Sequence, residues 1–495
     1  MRLLFVNHYL EEVGGAEVHL RSLADELGAR GHEVAFFAGS PDTERDEPAL
    51  RVVRRPFFAH EAMLRDETLT KAFLRFARRF RPDVVHAHKL VALPVELVPA
   101  FRAARAAVVH TVYDYSLFCP NAWNVWPDGT VCAGGPGRKC FAHGCESNHK
   151  YDARVVLAAR LRLRLLRRVA DAVIAPSEHL AGLCAAHGFA RVTQLPYYPP
   201  EPAGAPAAEN GEPVRVLCVS RLEKEKGVAV LVEALPRLRS LVPGAALALV
   251  GAGPEEESLR ARVQALGLGD AVEFAGAAPR AALAGHLARA GVLALPSIWC
   301  EALPLIAFDA MAAGVPMVGT AIGGIPTVVR DGVTGLLCRP RDPADLAEKL
   351  ARVLTDPALR DRLRRGARED LARYDKARHL DALDGVYREA RARPRRRLRG
   401  AVGGEVRAVL HRLLLRVDEL ERDNARIQAA SVRLDAHRQE LEGNVSDLNR
   451  RLGDLWHERD RLKGLLHRMA SGKLTRLLNR LRGIEGLEEF HIKGK

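Results

Sequence analysis

Short apolar runs alternate with amphipathic stretches twice along this chain, and the doubled alternation constrains its fold more than any other feature. RLLFV, EVAFFAG, PDVVHAH, AAVVHT and DAVIAPS read as buried strands, with helical patterns between several of them, such as 18–30. PPEPAGAPAAENGEP, rich in Pro, Ala and Gly and without apolar period, then marks a linker. Beyond it VRVLCVS, ALALVGAG, AVEFAG, GVLALPS, PMVGTA and GLLCRP repeat the pattern. Strands that pass through helices into further strands build parallel, doubly wound sheets. The expected fold is α/β, two Rossmann-like domains facing across a cleft. Ligands of such sheets bind at the carboxyl ends of the strands, so the motif residues should gather there.

From Leu410 the pattern becomes a heptad that runs in unbroken 3,4 spacing to Met469, with every d position apolar and mostly Leu. Asn424 at an a position is the kind of buried polar residue that fixes register and favours two strands. Arg416 with Glu421, His437 with Glu442 and Glu458 with Lys463 would pair across a parallel dimer, and no such pair is like-charged. A homodimer through this helix is the expected arrangement. The alternative is a helix packed on its own body, since Ser431, Arg438 and Arg459 weaken the seam and Gly443, Gly453 and Gly464 each cost about 1 kcal/mol of helix propensity.

Charge follows the same division. The chain carries 75 Lys and Arg against 61 Asp and Glu, net +14, but residues 391–495 alone hold 25 basic and 15 acidic side chains. The body is nearly balanced and the tail is basic. Leu474, Leu477, Leu478 and Leu481 face away from Lys473, Arg476, Arg480 and Arg482, a pattern suited either to an anionic membrane surface or to a solvated coiled-coil end. No stacking aromatics accompany the arginines and no recognition fold is visible, so nucleic acid is not an expected partner. With 48% apolar residues the chain is not disordered, and no run reaches the ~18 apolar residues of a membrane span. The N-terminus lacks a signal-peptide core. The expected location is cytoplasmic, peripheral on the inner face of the membrane if the tail binds lipid, with the eight cysteines reduced.

Several loops carry chemistry. Gly14 and Gly15, after the first strand, permit a tight turn with free N–H groups at a helix N-terminus, or serve structure alone. SRLEKEKG places Arg221 and Lys226 just beyond a strand, where both could reach a diphosphate and neutralise a departing nucleotide; a solvated charged loop is the plainer alternative. VGAGPEEE holds Gly251 and Gly253 in a further turn leading into a helix. In SIWCEALPLIAFDAMAAGVPMVGTAIGGIPTVV, Glu301 precedes Pro304 at an expected helix start, Asp309 lies about two turns onward, and Gly323 and Gly324 form another close-approach loop.

These strings, with GGAE and PDVVHAH, resemble the retaining nucleotide-sugar glycosyltransferases of family 4, GT-B fold, from Met1 to about Arg391. The resemblance implies transfer of a sugar from a nucleotide diphosphate donor to a glycan or lipid-linked acceptor with retention at the anomeric carbon. It also implies that no cofactor and no obligatory divalent metal is needed for catalysis; the sequence has no Asp-x-Asp motif. Carried over residue by residue, His110 in AVVHTVYDYS is the active-site histidine near the anomeric centre, and Arg221 and Lys226 grip the diphosphate. Glu301 meets the donor sugar hydroxyls, the backbone of Leu303, Pro304 and Leu305 approaches the phosphates, and Asp309 takes the ribose. Gly14, Gly15, Gly251 and Gly253 border the donor, while Glu17, His86 and His88 lie on the acceptor side. Two positions depart from the pattern: the family's second acid is usually Glu rather than Asp309, and Thr327 stands where Glu is common.

Cys119, Cys132, Cys140 and Cys145 fall close together in a loop-like insertion that the minimal family plan lacks, with Trp123, Trp126 and His143 among them. A structural Zn2+ site, disulfides and free thiols in a packed loop are the open readings, and related enzymes carry similar loops. Cys184, Cys218, Cys300 and Cys338 read as core. The expected boundaries are 1–198 for the first domain with the insertion at about 116–150, 199–213 for the linker and 214–375 for the second domain. A helix over 376–392 returns to the first domain, followed by a basic linker over 393–409, the coiled coil over 410–470 and the basic amphipathic tail over 471–495. The expected function is sugar transfer in surface polysaccharide or glycolipid assembly. A nucleotide-sugar epimerase and a degenerate transferase acting as a coiled-coil scaffold are the alternatives.

Overall fold

The computed structural model describes residues 1–9, 15–40, 43–54, 63–143, 145, 153–199, 214–393, 401–471 and 476. The chain divides into two units, Met1–Arg412 and Leu413–Lys495.

The first unit holds two sheets. Strands β1 (Arg2–Asn7), β2 (Glu33–Ser40), β3 (Arg45–Glu47), β4 (Leu50–Arg54), β5 (Val84–Ala87), β6 (Ala107–Thr111), β7 (Ala172–Ala175) and β8 (Val192–Gln194) lie in the order 3-4-2-1-5-6-7-8. All pairs are parallel except β3 with β4. The second sheet is wholly parallel, with β9 (Arg215–Val219), β10 (Ala246–Val250), β11 (Val272–Gly276), β12 (Val292–Leu295), β13 (Met317–Thr320) and β14 (Gly335–Cys338) ordered 11-10-9-12-13-14. Every apolar run read as a strand forms one. The central strands are buried on both faces, Leu3 to Val6 and Val292 to Ala294 completely, which is why their sequences are continuous rather than alternating.

Helix starts follow from capping side chains. Asp66 accepts from the Leu69 N–H at 2.9 Å, and Asp342 and Asp356 accept from the third residue onward, each followed by a proline that gives up no helical hydrogen bond. Asp375 likewise caps the helix Lys376–Ala392 through Arg378 N–H at 2.8 Å. That helix follows the second sheet in sequence, yet its Leu380, Leu383, Val386 and Tyr387 join Leu3, Phe5, Leu23 and Val109 in the core of the first.

Residues 200–213 of the expected linker, and 394–400 of the basic one, lie outside the described residues. A helix over Ala401–Ser471 occupies the rest of the basic linker beyond 400, so that stretch is more helical than its arginines led us to expect. The heptad region is one continuous helix. Its seam residues Leu434, Leu441, Leu448, Leu455 and Leu462 are each more than half exposed. Of the amphipathic tail only positions 471 and 476 are described, so its interfacial face lies outside the described residues. Among the described residues no helix is long and apolar enough to cross a membrane.

Candidate active site

Winding reverses between β1 and β5 in the first sheet and between β9 and β12 in the second. These are the switch points at which open sheets bind ligands, and the segments leaving the four strands line one cavity of about 1150 Å3.

On its second-sheet wall, the Lys226 ammonium sits 2.7 Å from Glu301 Oε1 and 4.8 Å above the Trp299 ring. The same carboxylate oxygen accepts from Ser297 Oγ and Trp299 Nε1, both at 2.9 Å. Burial works to raise the Glu301 pKa, but the Lys226 charge and these hydrogen bonds outweigh it and hold the group ionised, below its ordinary value. Arg221 lines the same cavity with its side chain 60% exposed, hydrogen-bonded to Glu223. Two acids that sequence reasoning passed over, Glu223 and Glu225, stand beside these cations. Burial, then a hydrogen bond to Glu223, lifts Glu225 to about 7.

Two glycines make this wall possible. Gly251 has φ +145°, and a Cβ there would lie 1.8 Å from Ser220 O; Gly323 has φ +57°, and a Cβ would come within 2.7 Å of Glu301 N and O. The Glu301 carbonyl is thereby pinned, accepting from Gly324 N–H at 2.6 Å and from Tyr115 Oη at 3.2 Å. Gly253 lies one residue ahead of the lining residues Pro254 and Glu255, packed against Leu222 O.

Leu303, Pro304 and Leu305 line the cavity, but the helix begins only at Ile306, so Asp309 falls in its first turn rather than two turns on. Its carboxylate is taken by Arg280 through both guanidinium NH2 groups, at 3.2 and 2.5 Å, and it is not among the cavity-lining residues. Burial pushes the Asp309 pKa up against the pull of Arg280.

The opposite wall is built on the first sheet. Glu17, buried in the first turn of the helix Gly15–Ala29, pairs with Lys89 Nζ at 3.1 Å and lies 3.7 Å from His8 Nε2. Burial would raise the Glu17 pKa, and the His8 and Lys89 contacts overcome it and lower it. Gly15 opens that helix; Gly14 lies outside the described residues. His110, at the end of β6, donates through Nδ1 to Ala87 O at 3.0 Å, and burial holds its pKa down to about 4. It is therefore neutral, and with Ala87 O able only to accept, Nδ1 carries the proton and Nε2 the lone pair. His110 lines a small separate cavity with His88, Asp114 and Arg162 rather than the main one. His86 is wholly buried between Tyr387 Oη and Thr111 Oγ1, each at 2.7 Å, and His88 stacks against it at 4.0 Å. Neither is among the residues lining the main cavity.

All four insertion cysteines border one small apolar space. None of the eight cysteines is joined in a disulfide, and among the described residues no three His, Cys, Asp or Glu side chains are arranged to hold a metal ion. The Zn2+ reading is thus unsupported. Burial pushes the Cys119 thiol up to about 12, and its Sγ donates to Asn121 Oδ1 at 2.7 Å. The cavity-lining residues that sequence reasoning did not single out include Lys89, one position past the HAH string, Trp299, two before Glu301, and Tyr115 and Trp123 after β6. Adjacency to strand ends was the available signal for the first two.

Residues 13–196 match the family described as Glycosyltransferase Family 4, and residues 204–370 match Glycosyl transferases group 1. Glycogen synthase of Mycobacterium tuberculosis is 29% identical over 398 residues, 75% of this chain and 90% of that one. D-inositol 3-phosphate glycosyltransferase of Acidothermus cellulolyticus is 30% identical over 417 residues, 78% of this chain and 87% of its own. Among solved structures, Anabaena HepE in complex with UDP superposes with a TM-score of 0.59 at 19% identity, over 78% of this chain and 99% of that one, a likeness of fold. The two facing α/β domains and the cleft between them define a glycosyltransferase of GT-B fold. The chain belongs to the glycosyltransferases related to family 4 and group 1, nucleotide-sugar-dependent enzymes acting on glycan or lipid acceptors. That membership decides against the epimerase.

Proposed function

We propose that this enzyme transfers a sugar with retention of anomeric configuration, with the donor diphosphate held by Arg221 and Lys226. The observation that carries the reading is the Lys226–Glu301 pair at one switch point facing the Glu17–Lys89 pair at the other. In the free enzyme Lys226 is neutralised by Glu301. An incoming diphosphate offers the ammonium a second anion, leaving Glu301 to accept hydrogen bonds from the donor sugar hydroxyls. As the bond between the anomeric carbon and the diphosphate oxygen breaks, charge builds on the diphosphate, and the two cations stabilise it in a partly desolvated cleft. The acceptor oxygen bonds to the same face, and its proton passes to the departing diphosphate oxygen. His110, neutral, lies behind the donor sugar and orients it. Asp309 reaches the ribose only by exchanging its Arg280 partner, which fits a weaker ribose contact than a longer Glu would give. The product belongs to surface polysaccharide or glycolipid assembly.

Lys226→Ala should cut nucleotide diphosphate release at least about a hundredfold while the thermal transition stays within a few degrees of wild type. Near-normal turnover would refute the assignment. Product anomeric configuration, read by NMR, tests retention.

We also propose that the Ala401–Ser471 helix pairs with that of a second copy, and that the basic tail holds the enzyme at an anionic membrane surface on the cytoplasmic side. The supports are the exposed leucine seam and the concentration of positive charge after residue 390.

A further inference from the structure

The insertion that follows His110 presents one side chain to the cleft in an unusually determined way. Trp123 is half-buried and lines the main cavity. Its backbone is fixed on both sides: the N–H donates to Asn121 Oδ1 at 3.0 Å, and the carbonyl accepts from Cys300 N–H at 3.0 Å, across the cleft from its own domain. Asn121 is itself held by the Cys119 thiol and by the Cys145 carbonyl, at 2.7 and 3.4 Å. The next residue, Asn124, is 1% exposed, and its carbonyl accepts from Cys132 N–H at 2.9 Å and from Cys300 Sγ at 3.7 Å. The cysteine region therefore works as a mount for the segment 121–124.

The mount is strained. Ala122, ahead of the tryptophan, has φ of 60°, a left-handed value unfavourable for a residue with a Cβ, and Asn124, after it, has φ of 55°, where asparagine is better tolerated. Strain of this kind persists where the surroundings over-determine it, and it gathers at ligand sites.

What the indole faces is mixed in character. Glu17, Lys89 and Asp114 line the same cavity from the first sheet. Arg221, Lys226 and Glu301 occupy the opposite wall, which the proposed function assigns to the donor. A pyranose ring has hydroxyls around its edge and C–H groups on its faces. Charged side chains suit the edge, and an aromatic face, which carries partial negative charge, suits the C–H groups.

We infer that Trp123 is the platform on which the acceptor's terminal pyranose ring stacks, a specificity-determining residue that commits the enzyme to a glycoside acceptor. The inference rests on the transferase reading above. It adds that the acceptor is recognised by a sugar face, and that the cysteine-bearing insertion exists to hold that face in place.

The test uses the full chain, a panel of nucleotide sugars as donors, and methyl α-glucoside, α-mannoside and α-galactoside as acceptors, with nucleotide diphosphate release as readout. At least one pyranoside should stimulate release by the wild type. Trp123→Ala should raise that pyranoside's KM about tenfold, the scale of one well-packed aromatic contact. Its donor KM and unstimulated hydrolysis should stay within about twofold, and Trp123→Phe should restore most of the acceptor affinity. An unchanged acceptor KM, an equal rise in donor KM, or failure of every pyranoside to stimulate the wild type overturns the inference. If the wild type releases no nucleotide at all, the transferase reading fails on its own. The platform is then read directly from the 19F signal of Trp123 in 5-fluorotryptophan-labelled enzyme titrated with the same pyranosides, where the absence of any shift overturns it.

Discussion

Glu225 shares its short loop with Lys226, and its proton sets the charge of the wall that receives the donor. Its carboxyl, lifted to about 7 by burial and then by Glu223, is mostly neutral at pH 6 and mostly ionised at pH 8. Ionisation adds a negative charge beside the two cations that must meet a diphosphate. Donor KM should therefore rise a few-fold between pH 6 and 8 in steady-state assays, and Glu225→Gln should flatten the rise. A flat wild-type profile, with KM constant across that range, would contradict it. Arg221, Lys226 and Glu301 were legible in the sequence because each lies on a short loop just past an apolar run. Their partners were not. Lys226 and Glu301 are separated by 75 positions, Glu17 and Lys89 by 72, and Arg280 and Asp309 by 29, and no spacing rule connects residues that only the sheet order brings together. The same blindness hid Trp123, whose role depends on a hydrogen bond from Cys300.

At the scale of elements, most strands read from sequence were central ones buried on both faces, where apolar runs are continuous, although the edge strand β11 was read with none of its residues fully buried. Those overlooked were β3, wholly exposed and charged, β8, three residues with none buried, and β4, whose buried Val52 and Val53 are flanked by arginines. The long C-terminal helix was legible for the opposite reason, a period sustained over many turns. Whether it pairs was not legible, because a leucine seam looks the same alone or partnered. Leu434, Leu441, Leu448, Leu455 and Leu462 are exposed on the single helix, and leaving such a stripe in water is costly at about 25 cal/mol for each Å2 of apolar surface. Sedimentation equilibrium of the full chain should give a dimer. Replacing Leu441 and Leu448 together by Lys should return it to a monomer with nucleotide release intact. A monomeric wild type at micromolar concentration would exclude the pairing.

For the whole molecule, charge and catalysis occupy different parts of the chain. The net +14 resides mainly after residue 390, while the cleft is lined by six acids and four cations. The full chain should float with vesicles containing about one-third phosphatidylglycerol at low salt and be released near ~0.5 M salt, where the screening length falls to a few ångströms. Binding to neutral vesicles of equal strength would show that the arginines are not the contact.

The helix Lys376–Ala392 closes the first sheet's core although it is encoded after the second sheet. During synthesis the ribosome delivers β1 to β8 first, but Leu3, Phe5 and Val109 keep an uncovered face until Leu380 to Tyr387 emerge. The second sheet, whose core lies in one contiguous stretch from Val216 to Leu363, has no such wait. The domain made first is thus the domain finished last, and the half-built acceptor wall is sealed only when the donor wall already exists.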